Sequence, residues 1–229
     1  MGQKVHPRAF RLGTVFTWSS RWFADNKRYG EILLEDVKLR EILHKKLKSA
    51  GILRVDIERS INKMKVIIHV SKPGIVIGRG GSGLEELKKN IEKFLAGHRQ
   101  MRNRNVMAVK NISDSKSKLE IAIEPVKEPN LSAYLVANVV ADQLVRRIPT
   151  KRACNQSIER VMNAGAAGVK IALAGRINGA EIARREKFFA GSIPLSTIRE
   201  EVDFASVPAL TKSGYIGVKV WICKKLIAK

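Results

Sequence analysis

The sequence predicts an α/β protein of the α+β kind, built from two domains that meet at residues Pro125 to Pro129. Apolar residues alternate with period two in some segments and recur with helical period in others. The stretch from Pro125 to Pro129 has two prolines and adjoining charges, which stop both helix and sheet. With 229 residues and 45% hydrophobic content, the chain can bury two ordinary cores. We predict an arm over residues 1–28, one domain over 29–126 and another over 127–229.

The N-terminal arm has neither the apolar core of a signal peptide nor the Ser or Thr at position 6 that myristoylation requires. Its second half interleaves aromatic residues with cations, namely Trp18, Arg21, Trp22, Phe23, Lys27 and Arg28. These aromatics either stack on bases while the cations neutralise phosphates, or pack back on the protein as a hydrophobic flap. Both interpretations stay open for Trp18 and Trp22.

The predicted domain over 29–126 begins with a helix from Tyr29 to Ala50 that ends at Gly51. Its expected apolar face consists of Ile32, Leu33, Val37, Ile42, Leu43 and Leu47. Alternation then predicts strands over 53–57 and 64–70, and a final strand over 119–123. Between the helix that ends near residue 96 and this last strand, residues 97–118 are basic and then rich in Ser, Asp and Lys. They predict an extended loop whose role the sequence does not assign.

A glycine-rich turn inside the stretch from Lys72 to Leu87 is the strongest candidate site. Glycines have no Cβ, so the chain can adopt positive φ here and a sugar-phosphate backbone can approach closely. Ser82 and Glu85 have the spacing of a capping box, which predicts a helix whose free amides favour an anion at the turn. The predicted contacts are Lys72, Gly78, Arg79, Gly80 and Gly81.

Three interpretations of this turn compete. Gly78, Gly80 and Gly83 have the spacing of the dinucleotide-binding fingerprint, but Pro73 interrupts the required strand. The region where the ribose-binding acid should lie, 97–104, is basic; it would suit only a 2′-phosphate. A connector without a ligand is the second interpretation. The order strand, short helix, G-x-x-G turn and helix is that of a KH domain, which clamps about four nucleotides, and we favour it.

The composition supports a nucleic-acid partner. The formal net charge is +22, with 43 Lys and Arg against 21 Asp and Glu, so the folded chain attracts polyanions. A membrane partner is not expected, because the sequence has no run of 18 apolar residues.

No catalytic or metal-binding chemistry is expected. Cys154 and Cys223 are read as buried thiols in a reducing compartment, and the four histidines have no ligand spacing. Because no catalytic set or phosphate loop is found either, we expect no enzyme activity, catalytic residue, metal, cofactor or small-molecule substrate.

The predicted domain over 127–229 consists of two helices on a mostly antiparallel four-stranded sheet. The helices are expected from Leu131 to Val145, with Asn130 as a possible cap, and from Ala153 to Gly165, with Pro149 between them. The strands are expected over 168–174, 180–189, 198–207 and 215–224. The helix junction contains the cations Arg146, Arg147, Lys151 and Arg152, with Arg160 farther on, and we predict that they contact nucleic acid.

Five blocks in order give the chain a family resemblance over nearly its whole length. They are Val5-His6-Pro7 with Arg11-Leu12-Gly13, then Pro73–Gly81, Gly175-Arg176 with Gly179–Arg184, Ile193–Arg199 and Gly214–Trp221. Together they resemble the bacterial type of the small-subunit ribosomal protein three family.

The resemblance implies a type II KH domain followed by an α/β domain, in a structural constituent of the ribosome of the cytoplasm or of an organelle. The implied partners are the ribosomal RNA of the subunit head, messenger RNA at its entry channel, ribosomal proteins ten and fourteen, and, near that entry, proteins four and five. Arg176 and Arg184 join the expected RNA contacts through their blocks. A free-standing KH regulator of RNA is the alternative.

Two positions depart from the family pattern. The family has two lysines in the turn where this chain has Arg79 and Gly80. At the helix junction, Lys151 and Arg152 match two basic residues implicated in parting messenger duplexes, but Asn155 replaces the third. These departures leave the strength of messenger contact, and any unwinding, open.

Overall fold

The computed structural model describes residues 4–60, 63–105 and 118–225, and the chain divides into two compact units. The terminal unit comprises Met1–Trp18 together with Glu128–Lys229, and the central unit comprises Ser19–Lys127. The division after Lys127 falls inside the predicted linker. The N-terminal segment up to Trp18, expected to be a separate arm, groups with the C-terminal half of the chain instead.

Arg11 explains why the N-terminal segment belongs to the terminal unit. It follows helix α1 (Pro7–Phe10), and it is fully buried, with 0% of its surface exposed. Its guanidinium donates hydrogen bonds of 2.7–3.1 Å to the backbone carbonyls of Pro7, Pro194, Leu195, Thr197 and Glu200. A buried cation requires such partners, and four of the five lie more than 180 positions away.

The central unit begins with helix α2 (Asn26–Lys46), which buries only the C-terminal part of the predicted apolar face. Leu39, Leu43 and Leu47 enter the core, whereas Leu33 and Val37 are 40% and 42% exposed. One turn before Leu39, the helix buries Glu35 and Asp36 instead of apolar residues. Both carboxylates bind Arg59, through Nη1 to Glu35 at 2.9 Å and Nε to Asp36 at 3.0 Å, so ion pairing overrides the apolar periodicity.

The aromatic residues of the predicted arm, 1–28, separate into two groups. The Trp22 indole donates a 2.8 Å hydrogen bond to Asp36, and its ring lies 5.3 Å from that of Tyr29. Trp22 is therefore packed against the protein, as the flap interpretation predicts. Trp18 and Phe23 are exposed, at 68% and 93%.

The central unit contains a mixed four-stranded sheet in the order β1-β2-β3-β4. Its strands are β1 (Ser20–Arg21), β2 (Ile52–Arg59), β3 (Lys63–Val70) and β4 (Lys118–Pro125). Strands β2 and β3 are antiparallel, and each outer strand runs parallel to its neighbour. The predicted order of helix, two strands, two helices and strand is confirmed. Strand β1 was not predicted, because two residues carry no periodicity.

Helices α3 (Pro73–Ile77) and α4 (Ser82–Asn105) lie between β3 and β4 in sequence. Helix α4 continues through Gly97, so the loop predicted to start there is helical up to Asn105. A single glycine costs a helix about 1 kcal/mol, and the Arg, Gln and Met residues that follow favour helix. Residues 106–117 of the predicted loop lie outside the described part of the chain.

The terminal unit has the predicted two helices and four-stranded antiparallel sheet, with strand order β6-β5-β8-β7. Its elements are α5 (Ala133–Val145), α6 (Thr150–Asn163), β5 (Ala166–Gly175), β6 (Arg184–Gly191), β7 (Val202–Thr211) and β8 (Gly214–Lys224). Both helices contact the sheet, through the core that includes Val140, Ile158 and Ile171.

Several boundaries differ from those predicted, and four of the differences concern where an element starts. Helix α5 has Ser132 rather than Asn130 at its N-cap, and the Ala133 amide donates to Asp203 at 2.9 Å. Helix α6 starts three residues early, directly after Pro149, which suits a helix N-terminus. Strands β6 and β7 each start four residues late. Before β6, a 3-10 turn at Ile177–Gly179 is followed by a bend at 181–182, and strand pairing begins only at Arg184.

Both cysteines are free and buried, as predicted. Burial, together with the charge of Glu186, raises the pKa of Cys154 to about 12, so its thiol is unreactive near neutral pH. In the described residues, no helix is long and apolar enough to cross a bilayer, and no His, Cys, Asp and Glu cluster could hold a metal ion.

Candidate nucleic-acid interface

The glycine-rich turn of the central unit joins α3 to α4 through three positive φ angles. Gly78, Gly80 and Gly81 have φ values of 71°, 62° and 84°. Arg79 and Gly80 are exposed, and a Cβ built on Gly80 or Gly81 would meet no atom within 4 Å. The backbone at Gly80 and Gly81 is therefore open to a ligand. Lys72, at the N-cap of α3, is also exposed.

Two residues behind the turn have roles that differ from the predicted ones. Ser82 has helical angles, φ −56° and ψ −37°, and its hydroxyl donates to the Arg79 carbonyl at 3.0 Å. It is thus the first residue of α4 and not a capping-box residue. Gly83, which entered the prediction only as part of a cofactor fingerprint, is structural, because a Cβ there would lie 2.6 Å from the Val76 carbonyl.

Apolar side chains beside the turn were not predicted as site residues. Val76 is buried at 1% exposure, whereas Ile75 and Ile77 are 51% and 40% exposed. Three consecutive apolar residues in a five-residue helix cannot all face the core. The sequence therefore already implied that some of the residues 75–77 are exposed next to the turn. They provide an apolar surface next to Arg79.

The junction between α5 and α6 in the terminal unit holds an arginine in a strained conformation. Arg147, which follows the C-cap residue Arg146 of α5, has a positive φ of 62°. Its amide donates to the Leu144 carbonyl, and the Ile148 amide donates to the Gln143 carbonyl. This pair of bonds is the Schellman motif, in which glycine normally occupies the left-handed position. An L-residue there costs about 1 kcal/mol, and such strain is common at functional sites.

The first turn of α6 adds two cations where a helix disfavours them. Lys151 and Arg152 are exposed, and no acidic residue lies in that turn. Because the N-terminal end of a helix carries partial positive charge, each cation is unfavourable by up to about 1 kcal/mol. Asn155 is exposed one turn beyond Lys151. With Arg146 and Arg147, which are exposed too, the junction presents four cations to the solvent.

The remaining predicted contacts are Arg160, Arg176 and Arg184. The turn that follows Arg176 is bonded to the junction, because the Thr150 hydroxyl donates to the Asn178 side-chain carbonyl at 2.8 Å. Arg160 is exposed near the end of α6, about 12 Å along the axis from Arg152. Arg176 donates hydrogen bonds to the carbonyls of Ala180 and Ser213, at 2.9 and 3.3 Å. Arg184 pairs with Glu186 at 3.2 Å. Arg176 and Arg184 therefore stabilise the local backbone and strand, although both remain exposed.

Comparison with known proteins agrees with this geometry. Residues 38–131 match the family model described as KH domain, and residues 140–222 match the one described as Ribosomal protein S3, C-terminal domain. Small ribosomal subunit protein uS3 of Desulforamulus reducens is 45% identical over 224 residues, which cover 98% of this chain and 92% of that protein. The uS3 proteins of Caldicellulosiruptor saccharolyticus and Persephonella marina are each 46% identical over 224 residues, 98% of this chain and 92% and 90% of theirs.

A G-x-x-G turn between two helices on a sheet, in a strongly basic chain, defines an RNA-binding protein of the KH class. The second unit and the full-length similarity narrow this class further. The chain belongs to the family of small ribosomal subunit protein uS3, which is a structural and non-enzymatic component of the ribosome.

Proposed function

We propose that the chain binds ribosomal RNA of the subunit head and lines the messenger RNA entry channel, in the ribosome of the cytoplasm. Lys72, Gly78, Arg79, Gly80 and Gly81 contact RNA at the turn of the central unit. The junction of α5 and α6 contacts the entering messenger through Arg146, Arg147, Lys151, Arg152 and Asn155, with Arg160, Arg176 and Arg184 as further RNA contacts. Ribosomal proteins ten and fourteen are its neighbours, and proteins four and five lie near the entry.

The main support for this proposal is that three cations at the junction of α5 and α6 are energetically unfavourable in the free chain. Arg147 in the left-handed region, and Lys151 and Arg152 at a helix N-terminus, all reduce the stability of the free chain. None of the ion pairs formed between described residues neutralises these three cations. RNA phosphates supply the missing negative charge.

Gradient sedimentation with crosslinking tests the proposal. The protein should sediment with small subunits, and a 4-thiouridine-labelled messenger extending into the entry should crosslink to peptides of α6. A protein that stays at the top of the gradient would support the free-standing KH regulator instead. If the protein sedimented with small subunits but the messenger crosslinked to other parts of the chain, the ribosomal role would stand and the proposed messenger contact at α6 would be wrong.

Replacing Arg147 with glycine should have opposite effects on stability and on RNA binding. Glycine relieves the left-handed strain, so the free energy of unfolding should rise by about 0.5–1 kcal/mol. Loss of the cation should weaken binding of a single-stranded oligonucleotide and lower its salt slope by about 0.7. Arg147→Ala is the control: it loses the cation but retains the strain. If Arg147→Gly and Arg147→Ala had the same free energy of unfolding, the left-handed conformation would not be strained at this position.

Asn155→Lys should speed translation through a stable messenger hairpin placed at the entry. Asn155 can hydrogen-bond a phosphate but cannot neutralise it, and lysine there adds a cation on the face of Lys151. We expect a gain of up to about fivefold, equivalent to about 1 kcal/mol, with little effect on unstructured messenger.

Asn163→Lys is the matched control, since it adds the same exposed cation at the other end of α6. Equal hairpin transit for wild type and Asn155→Lys would mean that Arg146, Arg147 or Arg160 already supplies the charge. A change on unstructured messenger as large as on the hairpin would show that the effect is not specific to unwinding.

A further inference from the structure

The sheet of the terminal unit has one face that helices do not cover. Helices α5 and α6 pack on the face formed by Val169, Ile171, Leu173, Val218 and Val220, all at most 1% exposed. Successive residues of a strand point to opposite sides, so Lys170, Ala172, Lys219 and Trp221 lie on the other face. We call this second surface the open face.

An aromatic row crosses one end of the open face. Register places Phe189, Lys170, Trp221 and Phe204 side by side on four adjacent strands. The Lys170 ammonium lies 5.5 Å from the centre of the Trp221 ring, which lies 5.1 Å from the Phe204 ring. His6 of the N-terminal segment packs edge-on against Phe204 at 4.9 Å. The segment thus covers the β7 end of this row, whereas Phe189 at the β6 end is 74% exposed.

A basic band follows the aromatic row. The next two rows pair Lys187 and Lys219 across Ala172, and Arg185 and Gly217 across Ala174. Arg185, Lys187 and Lys219 are exposed. Ala172 and Ala174 between the two outer strands leave a shallow floor, so a backbone can lie in the band with Arg185 and Lys187 on one side and Lys219 on the other.

A second apolar group closes the far end of the band. Tyr215 and Leu210 are register partners at the β7–β8 hairpin and are 68% and 60% exposed. Tyr215 and Trp221 are six positions apart on β8, which is about 20 Å at 3.4 Å per residue. The open face therefore presents aromatic groups at both ends of a cationic strip that is a few nucleotides long.

The cations of this face have no acidic partner on the sheet itself, although Glu200 and Glu201, which precede β7, lie near Cys223 beside the aromatic row. None of the residues that the four described strands place on it is acidic. The corresponding face of the central sheet differs, because Arg21 pairs there with Glu58 at 3.3 Å and Lys63 with Glu120 at 2.7 Å. The open face of the terminal unit thus lacks the local neutralisation that a merely solvated sheet would have.

We propose that the open face of the terminal sheet is a second RNA-binding surface, which takes a single strand. Phe189 and Tyr215 stack on bases, and Arg185, Lys187 and Lys219 neutralise the phosphates between them. Sheets that bind single strands combine these two elements, exposed aromatics and cations along the backbone path. This surface is separate from the turn and the helix junction, but it rests on the RNA-binding role proposed above.

Charge complementarity favours RNA over a protein partner here. Lysine is depleted where proteins bury each other, because its desolvation is costly. Three of the four cations on this face are exposed and none has an acid beside it in register. The phosphates of an RNA strand can neutralise all of these cations together.

Fluorescence anisotropy with a labelled 12-nucleotide polyuridine tests the proposal on the full chain. The chain carries Arg79→Asp and Gly80→Asp, so that the turn contributes little to binding. In this background, Phe189→Ala should weaken binding by about fivefold or more. Lys187→Ala with Lys219→Ala should lower the slope of log affinity against log salt by about 1.4, since each single-strand phosphate contributes about 0.7.

Matched controls use exposed residues elsewhere. Leu34→Ala removes a side chain that is 57% exposed, without an aromatic face, and Lys45→Ala with Lys46→Ala removes two exposed cations from α2. Both should leave binding unchanged. Equal affinities for the open-face variants and the controls would overturn the proposal, and so would an equal loss from Leu34→Ala and Phe189→Ala. The chain with only the two turn substitutions is measured in parallel, so failure of the turn remains distinguishable from failure of this surface.

Discussion

Arg11→Ala should lower the free energy of unfolding of the terminal unit by about 3–5 kcal/mol. The substitution deletes a fully buried side chain and leaves five backbone carbonyls without the donors that satisfy them. Each buried acceptor that loses its partner costs about 1–3 kcal/mol, reduced where water enters. The N-terminal segment and residues 194–200 should then separate.

Hydrogen exchange read by mass spectrometry measures this loss separately in the two units. Protection should fall in peptides from β7 and β8 and stay unchanged in peptides from β2 and β3. Arg8→Ala is the control on the same short helix, because within the described part of the chain the Arg8 side chain makes only a cation–π contact of 5.4 Å with Phe16, worth about 1 kcal/mol. Similar losses for Arg8→Ala and Arg11→Ala would refute the role assigned to the buried guanidinium.

Arg79→Asp combined with Gly80→Asp should weaken binding of single-stranded RNA by about 10- to 100-fold, or roughly 1.4–2.8 kcal/mol. The change reverses one charge and adds another at the point where a phosphate backbone would lie. The fold should survive, because both positions are exposed and a Cβ on Gly80 meets no atom within 4 Å. Aspartate also tolerates the left-handed angles better than most residues.

The same change in net charge elsewhere on α4 provides the control. Lys89→Asp with Gly97→Asp alters the charge equally; Lys89 is exposed, and a Cβ on Gly97 meets no atom within 4 Å. This control should lose little affinity beyond the general effect of charge. If the turn variant instead unfolds several kcal/mol more easily than the control, its glycines serve the fold rather than the ligand.

Much of the candidate site was predictable from the sequence, because it depends on local chemistry. A glycine turn after a proline-initiated helix requires only adjacent residues, and the structure has both. The cations of the helix junction were also predictable. The strain at Arg147 was not, because the residue type gives no indication of a left-handed conformation that glycine usually adopts.

The open face shows why the remaining features needed the tertiary structure. Alternation along β5, β6 and β8 predicts which side each residue faces, but not which residues become neighbours across strands. Phe189, Lys170 and Trp221 form a row only because the register aligns them. The absence of acids on that face is likewise a property of the assembled sheet.

The sequence by itself determined the order of the larger helices and strands, the mixed class of the fold, the positively charged character and the family resemblance. Each of these depends on composition or on residues close together in the chain. The tertiary structure decided which face α2 buries, because Glu35 and Asp36 meet Arg59 more than 20 positions away. It also decided that the N-terminal segment joins the C-terminal half, since Arg11 finds its partners at residues 194–200. Buried polar groups are stable only with partners, and a sequence does not show which distant groups will supply them.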